Sequence, residues 1–534
     1  MKRETMLGIV GREPDFDVII IGGGASGLGV AIDAQTRGLR ALLLEQDDFA
    51  KGTSSRSTKL VHGGVRYLEQ GDIPLVLEAL RERGLLHLNA PHLVHHQSFI
   101  IPRYKWWEGP FFGIGLKMYD LLAGRLNFAP SRLLDRDETL AKIPNIQTEG
   151  LLGGVEYYDG QFDDARLAVT LARTAADHGA VMLNHCPVTA LLKKNGAISG
   201  VEFADRESGS PFIANAPVVV NATGVFTDAI LRMDDPCAEP VVQPSQGVHL
   251  VLGRKFLPGD SAIMVPHTDD GRVLFVIPWH GRVLVGTTDT PLDQPDLEPR
   301  ALDEEIEFIL RNAARYLAHD PSRGDVLAVF AGQRPLVRPP GADGMPTKKI
   351  SRNHEVLVSE SGLVTLVGGK WTTYRKMAED AVDVVAQLGG FRESPCVTEK
   401  LRLRGWHSAD AAPLPGGLQA YGADARCLEQ LMIERPELAA PLHPSLPYPR
   451  AAVLWAAREE MARTVEDVLA RRTRALLLDA RAAAAAAPET ARLLADELNR
   501  DADWQAEQIS AFQTLADGYL PSRENDPTEK GLTT

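Results

Sequence analysis

The chain has 534 residues, room for two to four domains at the usual ~150 residues each, which excludes a small scaffold held by disulfides or metal. Its 57 Lys and Arg against 71 Asp and Glu give a net charge of −14, so nucleic-acid binding is set aside. Hydrophobic residues at 44% and charged residues at 24% match an ordinary globular chain. Cys186, Cys237, Cys396 and Cys427 form no C-x-x-C pair and read as small core side chains of a reducing compartment; no metal-ligand set is visible.

The first sixteen residues lack the apolar core of a signal peptide, and no run of about 18 apolar residues could span a bilayer. The expected location is cytoplasmic, with peripheral attachment to the membrane face left open. Asp17 to Ile21 (DVIII) reads as a buried parallel strand, Gly27 to Arg37 as a helix, and Leu39 to Glu45 as a second strand. Gly22 to Gly27 between them satisfies G-x-G-x-x-G. Gly22 permits the turn, Gly24 lets N–H groups approach a pyrophosphate, and Gly27 allows close packing, with Ala25 and Ser26 at the helix start. Glu45 is placed to accept from a ribose diol. An isolated glycine-rich turn could lack a ligand, but strand, helix and acidic end together favour a dinucleotide.

Further on, Pro217 to Gly224 and Leu363 to Gly369 are two more buried strands, the latter followed by a helix over Thr372 to Leu388. Ala222-Thr223-Gly224 and Gly368-Gly369-Lys370 favour a flavin over a nicotinamide, since a helix N-terminus beside the flavin's pyrimidine ring stabilises its reduced state. Residues 262–288 read as antiparallel hairpins turning at Asp270-Gly271 and His280-Gly281. Beyond about residue 400 the composition turns helical, with Thr464 capping a helix over VEDVLARRTRALLL and residues 482–487 as helix-forming filler.

Six stretches carry a family resemblance: Thr53 to Glu69 (TSSRSTKLVHGGVRYLE), Tyr158 to Leu167, Phe275 to Trp279, Gly286 to Asp289, Gly332 to Leu336 and Gly368 to Lys376 (GGKWTTYRK). They resemble the FAD-dependent, respiratory glycerol-3-phosphate dehydrogenases, and Met461 to Asp479 looks like that family's helical C-terminal domain. The resemblance implies an FAD enzyme that oxidises sn-glycerol 3-phosphate to dihydroxyacetone phosphate and passes electrons to a membrane quinone. Arg56 departs from the family's small residue, and the C-terminal domain is alanine-rich.

The expected fold class is α/β: a Rossmann-like FAD-binding domain of the glutathione-reductase/D-amino-acid-oxidase type, an antiparallel β substrate domain and a helical C-terminal domain. The FAD-dependent region is 1–395, with FAD-binding segments at about 15–85, 150–245 and 325–390 and the substrate-binding insertion at about 86–149 and 246–324. The helical domain follows at 396–520, then a tail at 521–534.

A phosphorylated alcohol needs fixed cations, and Arg66, Arg334 and Lys370 stand in the matched stretches, with Tyr67 beside Arg66. Lys370 suits a developing alkoxide. His249 is the first candidate for the base, although a histidine on an apolar strand is as readily structural. The catalytic set is therefore His249, Arg334 and Lys370. The cofactor set adds Ser54, Ser55, His62, Gly63, Gly64, Gly369 and Thr372 to the glycine loop, Glu45 and Ala222 to Gly224. His62 could anchor its loop instead, and the Ser54 and Ser55 hydroxyls could serve an ordinary turn. Trp106 to Phe128 is apolar enough to touch a bilayer or a quinone channel, or else to pack on the substrate domain. Rival readings are an oxygen-using glycerol-phosphate oxidase, an amino-acid or 2-hydroxy-acid oxidase, and a flavin-binding protein without turnover. A homodimer is left open.

Overall fold

The computed structural model describes residues 1–65, 68, 71–338, 353–408 and 417–522. A six-stranded sheet runs in the spatial order His354–Val358, Val364–Gly368, Val218–Asn221, Val18–Ile21, Ala41–Leu44, Val181–Leu183. Every neighbouring pair is parallel except the antiparallel pair at the His354–Val358 edge. Its inner strands are covered on both faces, which is why they read as unbroken aliphatic runs such as VIII, ALLL and VVVN. The Ala25–Thr36 and Tyr374–Gly389 helices meet at Gly29, where a Cβ would lie 3.1 Å from both Ala378 and Tyr374. An antiparallel meander, Val188–Lys194, Ala197–Ala204 and Pro211–Asn215, returns the chain to this sheet. Its first turn is Asn195-Gly196, both with positive φ as a tight hairpin demands.

The second sheet has ten strands, built around Val242–Gly253 with Val326–Val337 and Arg282–Gly286 on its two sides. The hairpin expected at His280-Gly281 joins Leu274–Trp279 to Arg282–Gly286. Two findings differ from the sequence reading. Gly153–Phe162 and Val326–Val337, placed by sequence in FAD-binding segments, run in this larger sheet, where they pair with Val94–Arg103 and Val242–Gly253. One pair, Ala262–Val265 with Val94–Arg103, is parallel within an otherwise antiparallel array. Both features come from pairings between distant segments, which the local pattern does not encode.

The C-terminal region is helical, with Ala425–Glu434, Ala451–Glu459, Ala480–Leu498 and Ala502–Asp517 as its main helices. The alanines at 482, 483, 486, 487 and 491 are a buried helix face rather than filler. The helix expected after Thr464 is interrupted. Thr464 and Asp467 cap each other, but a π-wound turn over Asp467–Arg472 stops at Thr473, whose N–H and hydroxyl both donate to the Val468 carbonyl at 2.8 Å. The break turns Arg471, Arg472 and Arg474 inward, all three buried. Of the cysteines only Cys186 is buried; Cys237 and Cys427 are exposed, so they are not core side chains. The expected tail beyond Ser522 lies outside the described residues.

A buried ion pair fastens this region to the rest. Arg166 donates to both Glu460 oxygens at 2.8 and 2.7 Å, and the Trp455 indole adds a third bond at 2.8 Å. Arg166 holds the Glu460 carboxyl at about 2 against an ordinary 4.5, despite burial that acts the other way. A depressed carboxylate stabilises fully above its unfolded pKa, so the contribution is complete above about pH 4.5 and fades as pH falls toward 2. Glu460→Gln strands the buried guanidinium and should cost about 3–5 kcal/mol at neutral pH, read as a lower guanidinium-chloride midpoint. An unchanged midpoint would contradict this.

Candidate functional site

The glycine turn lies at the carboxyl end of Val18–Ile21, between strand and helix. Gly22 has φ +110°, and a Cβ there would come within 2.6 Å of the Ala222 carbonyl oxygen. A Cβ on Gly27 would overlap the Gly22 carbonyl oxygen itself. These contacts bring the N-terminus of the Ala25–Thr36 helix, with no acidic residue in its first turn, to the wall of a cavity of about 460 Å³.

Three loops converge on that cavity because their strands are parallel neighbours with carboxyl ends on one side. Gly22, Gly24, Ala25 and Ser26 line it from the first loop, Ala222, Thr223 and Gly224 from the second, and Gly369 and Lys370 from the third. Glu45 and Ser54 complete the wall among the expected residues. The Glu45 carboxylate accepts from the Gly23 and Asp47 N–H groups at 2.6 and 2.9 Å, and burial pushes its pKa up to about 7. Ser54 Oγ accepts from the Ala25 N–H at 2.9 Å. Gly369 has φ +77°, and a Cβ there would overlap the Met377 sulfur. The expected helix after Lys370 begins with a tight turn at Trp371–Thr373 and runs as an α-helix from Tyr374.

Other expected residues support the wall without lining it. Gly27 lies beneath the turn, and the Ser55 carbonyl is gripped by Lys59 Nζ at 2.8 Å and Arg474 Nη2 at 2.7 Å. The His62 N–H donates to Thr372 Oγ1 at 3.3 Å, and the Gly63 N–H to the Tyr119 hydroxyl at 2.8 Å. Gly64 has φ +78°, the conformation that favours glycine. Arg66 and Tyr67 lie outside the described residues.

His249 and Arg334 stand on paired antiparallel strands, with Ser245 opposite Arg334 and Phe330 opposite His249. The His249 ring stacks on Phe330 at 5.0 Å, its Nε2 lies 2.9 Å from Thr58 Oγ1, and its buried Nδ1 has no hydrogen-bond partner among the described residues. Burial, with Lys59 and Arg334 nearby, holds its pKa well below 6.5, so the imidazole is neutral. Arg334 donates to Thr287 Oγ1 and the Thr288 carbonyl at 3.2 Å each and pairs with Asp289 at 3.4 Å. Pro335, the next residue, lines the cavity.

The sequence reading missed Trp371 as a part of this arrangement. The Trp371 indole donates to the Ser54 carbonyl at 2.9 Å, tying the third loop to the segment that follows the Ala41–Leu44 strand. It stands within GGKWTT, where an aromatic directly after the cavity residue Lys370 was the available signal. Gly247 was also missed: a Cβ there would overlap the Arg334 guanidinium, so the glycine makes the space in which that side chain lies.

The cradle fits a dinucleotide: N–H groups at a helix end, a buried acid beside them, and glycines wherever a side chain would fill the space. The chain matches the FAD dependent oxidoreductase family over residues 17–375, and the C-terminal domain of alpha-glycerophosphate oxidase over 360–506. It is 41% identical to the probable mitochondrial glycerol-3-phosphate dehydrogenase of Caenorhabditis elegans, over 96% of this chain and 75% of that protein. To the mitochondrial glycerol-3-phosphate dehydrogenase of Saccharomyces cerevisiae it is 37% identical, over 96% and 91%. The structure of the glycerol-3-phosphate dehydrogenase from Bacillus halodurans, complexed with FAD, superposes with a TM-score of 0.79 at 30% identity, covering 98% of this chain and 99% of that one. This chain belongs to the FAD-dependent glycerol-3-phosphate dehydrogenase family, with FAD as its cofactor.

Proposed function

We propose that the protein oxidises sn-glycerol 3-phosphate to dihydroxyacetone phosphate and delivers the electrons to a membrane quinone. The observation that carries this reading is the meeting of two cation-bearing elements on one cavity: the strand of Arg334, whose Pro335 is in the wall, and the turn that presents Lys370. Bound FAD supplies the hydride acceptor. The chain's own residues bind the phosphate, hold the carbinol carbon and take the hydroxyl proton.

Arg334, fixed by Thr287, Thr288 and Asp289, is the proposed phosphate ligand, and Lys370 stabilises negative charge developing on the carbinol oxygen. Arg66 and Tyr67 complete the substrate pocket in this proposal. His249 accepts the hydroxyl proton: its imidazole is neutral and its buried Nδ1 offers the acceptor.

The quinone is reached, in this reading, from the membrane surface. The Glu108–Ala123 helix turns Tyr119 and Leu116 inward and leaves Phe111, Ile114, Met118 and Leu121 exposed at helical spacing, with Trp106 and Trp107 at its start. Lys105 and Lys117 stand beside this apolar face in an otherwise acidic chain, the pattern of an interfacial helix on anionic lipid. No helix of the described residues is long and apolar enough to cross a membrane. Attachment is therefore proposed as peripheral, on the cytoplasmic face.

Glycerol 3-phosphate added anaerobically should bleach the flavin band, and glycerol at the same concentration should not. A ubiquinone analogue should then restore the colour faster than air, whereas faster recovery in air would assign an oxidase. Arg334→Ala should retain FAD but lose about 2–4 kcal/mol of substrate binding, a KM rise of roughly 30- to 700-fold. Unchanged KM would remove Arg334 from the phosphate site. His249→Asn should lower kcat about 10²- to 10⁴-fold. In the parent enzyme the depressed His249 pKa should displace the acid limb of the kcat/KM profile below 6.5; a limb at or above that value would contradict the neutral buried base.

A further inference from the structure

Residues 45–59 carry the chain from the end of the Ala41–Leu44 strand to the Leu60–Val61 strand, and their only regular structure is the short turn Thr53–Ser55. On one side Lys51, Gly52, Thr53 and Ser54 line the cofactor cavity. The other side is bonded at short intervals to the C-terminal helical region. Asp48, fully buried, accepts from Arg472 Nη1 and Nη2 at 2.6 and 2.8 Å and also from Arg471 Nε. Lys51 Nζ donates to both Glu466 oxygens at 2.6 and 2.7 Å. The Ser55 carbonyl accepts from Arg474, and Arg474 shares Asp164 with Lys59 at 3.1 and 2.6 Å. Arg56, the residue that departs from the family's small one, donates to the Tyr519 hydroxyl at 3.1 Å.

These partners lie more than 400 residues away along the chain, yet they fall on one stretch, 466–474, plus Tyr519. The interruption at Thr473 is what turns that stretch's arginines toward the loop. A segment with little secondary structure binds a ligand well only if it is ordered beforehand, because ordering it at the moment of binding subtracts from affinity. Buried charges that are hydrogen-bonded on several sides impose one geometry on such a segment.

We propose that the C-terminal helical domain is the back-plate of the FAD site, holding residues 48–56 in the cofactor-binding conformation. Glu466 acts through Lys51 and Arg474 acts through the Ser55 carbonyl, both as positioning residues. The proposal rests on FAD occupying the cavity described above. It makes cofactor retention depend on a domain that, among the described residues, contributes none to the cavity wall.

The test compares holoenzymes carrying Glu466→Gln, Arg474→Met or Arg474→Lys with Arg492→Met, which removes only exposed ion pairs on the same domain. Flavin fluorescence reports FAD release on dilution and rebinding by the deflavinated protein, and the melting temperature of each FAD-free chain is recorded beside it. Glu466→Gln and Arg474→Met should bind FAD at least about 10-fold more weakly, Arg474→Lys should recover most of the loss, and Arg492→Met should match the parent. Glu466→Gln should show its loss in titrations well below the melting temperature of its FAD-free chain, where that chain is folded, which a change in global stability alone would not produce. A folded Glu466→Gln or Arg474→Met protein with parental FAD affinity overturns the proposal, and if Arg474→Met does not fold, Glu466→Gln decides alone. A parent chain that takes up no FAD would instead overturn the cofactor assignment.

Discussion

The close approach of backbone to backbone at the Gly22–Gly27 turn is the constraint on which the site depends. A side chain at Gly22 or Gly27 would collide with a carbonyl oxygen, so only this sequence lets the Ala25–Thr36 helix begin directly at the cavity wall. N–H groups at that helix end have no intrahelical acceptors and sit at the positive end of the dipole, where an anion is stabilised. The parallel sheet then does the rest. Neighbouring parallel strands end on the same side, so loops from residues 222–224 and 368–370 reach the same cavity from distant parts of the chain.

Charge is distributed against the chain's overall sign. The net −14 is spread widely, while Lys59, Arg334 and Lys370 stand around the proposed reaction centre and Arg471, Arg472 and Arg474 behind the cofactor loop. The buried carboxylates Asp48, Asp164 and Glu460 meet the cations of this inner network in pairs, so the interior carries little uncompensated charge. Glu45 differs from them. It is met by N–H dipoles rather than a cation, which is why its pKa rises while that of Glu460 falls. A carboxylate so placed gains from any further donor, and a ribose hydroxyl is such a donor.

What the sequence disclosed was whatever is local. The DVIII strand, the glycine spacing, the helix after Lys370 and the His280-Gly281 hairpin each depend on neighbouring residues, and each is present with ends shifted by a residue or two. The family resemblance added His249, by its matching position, and Arg334, within a matched stretch; no periodicity would have singled out either. The rest depends on contacts between distant segments. Nothing in Gly153–Phe162 announces which sheet it joins, since a fully buried strand looks alike in either. Thr464 promised a continuous helix; the break at Thr473, which directs three arginines to Asp48, Asp164 and the Glu460 carbonyl, has no counterpart in the local pattern. Ser55 was read as a hydroxyl facing the cofactor; its carbonyl, held by two cations, proved to be the structural handle. Trp106 to Phe128 proved to have an inward face and an outward one, a distinction that rests on helix orientation.

The claim that the glycine turn and helix end recognise a pyrophosphate is tested most directly by titrating the deflavinated protein with FAD and with riboflavin, which lacks the phosphates. Recognition at the helix N-terminus predicts one FAD per chain and riboflavin binding weaker by about 100-fold or more, a difference of roughly 3 kcal/mol. Riboflavin bound as tightly as FAD would contradict it.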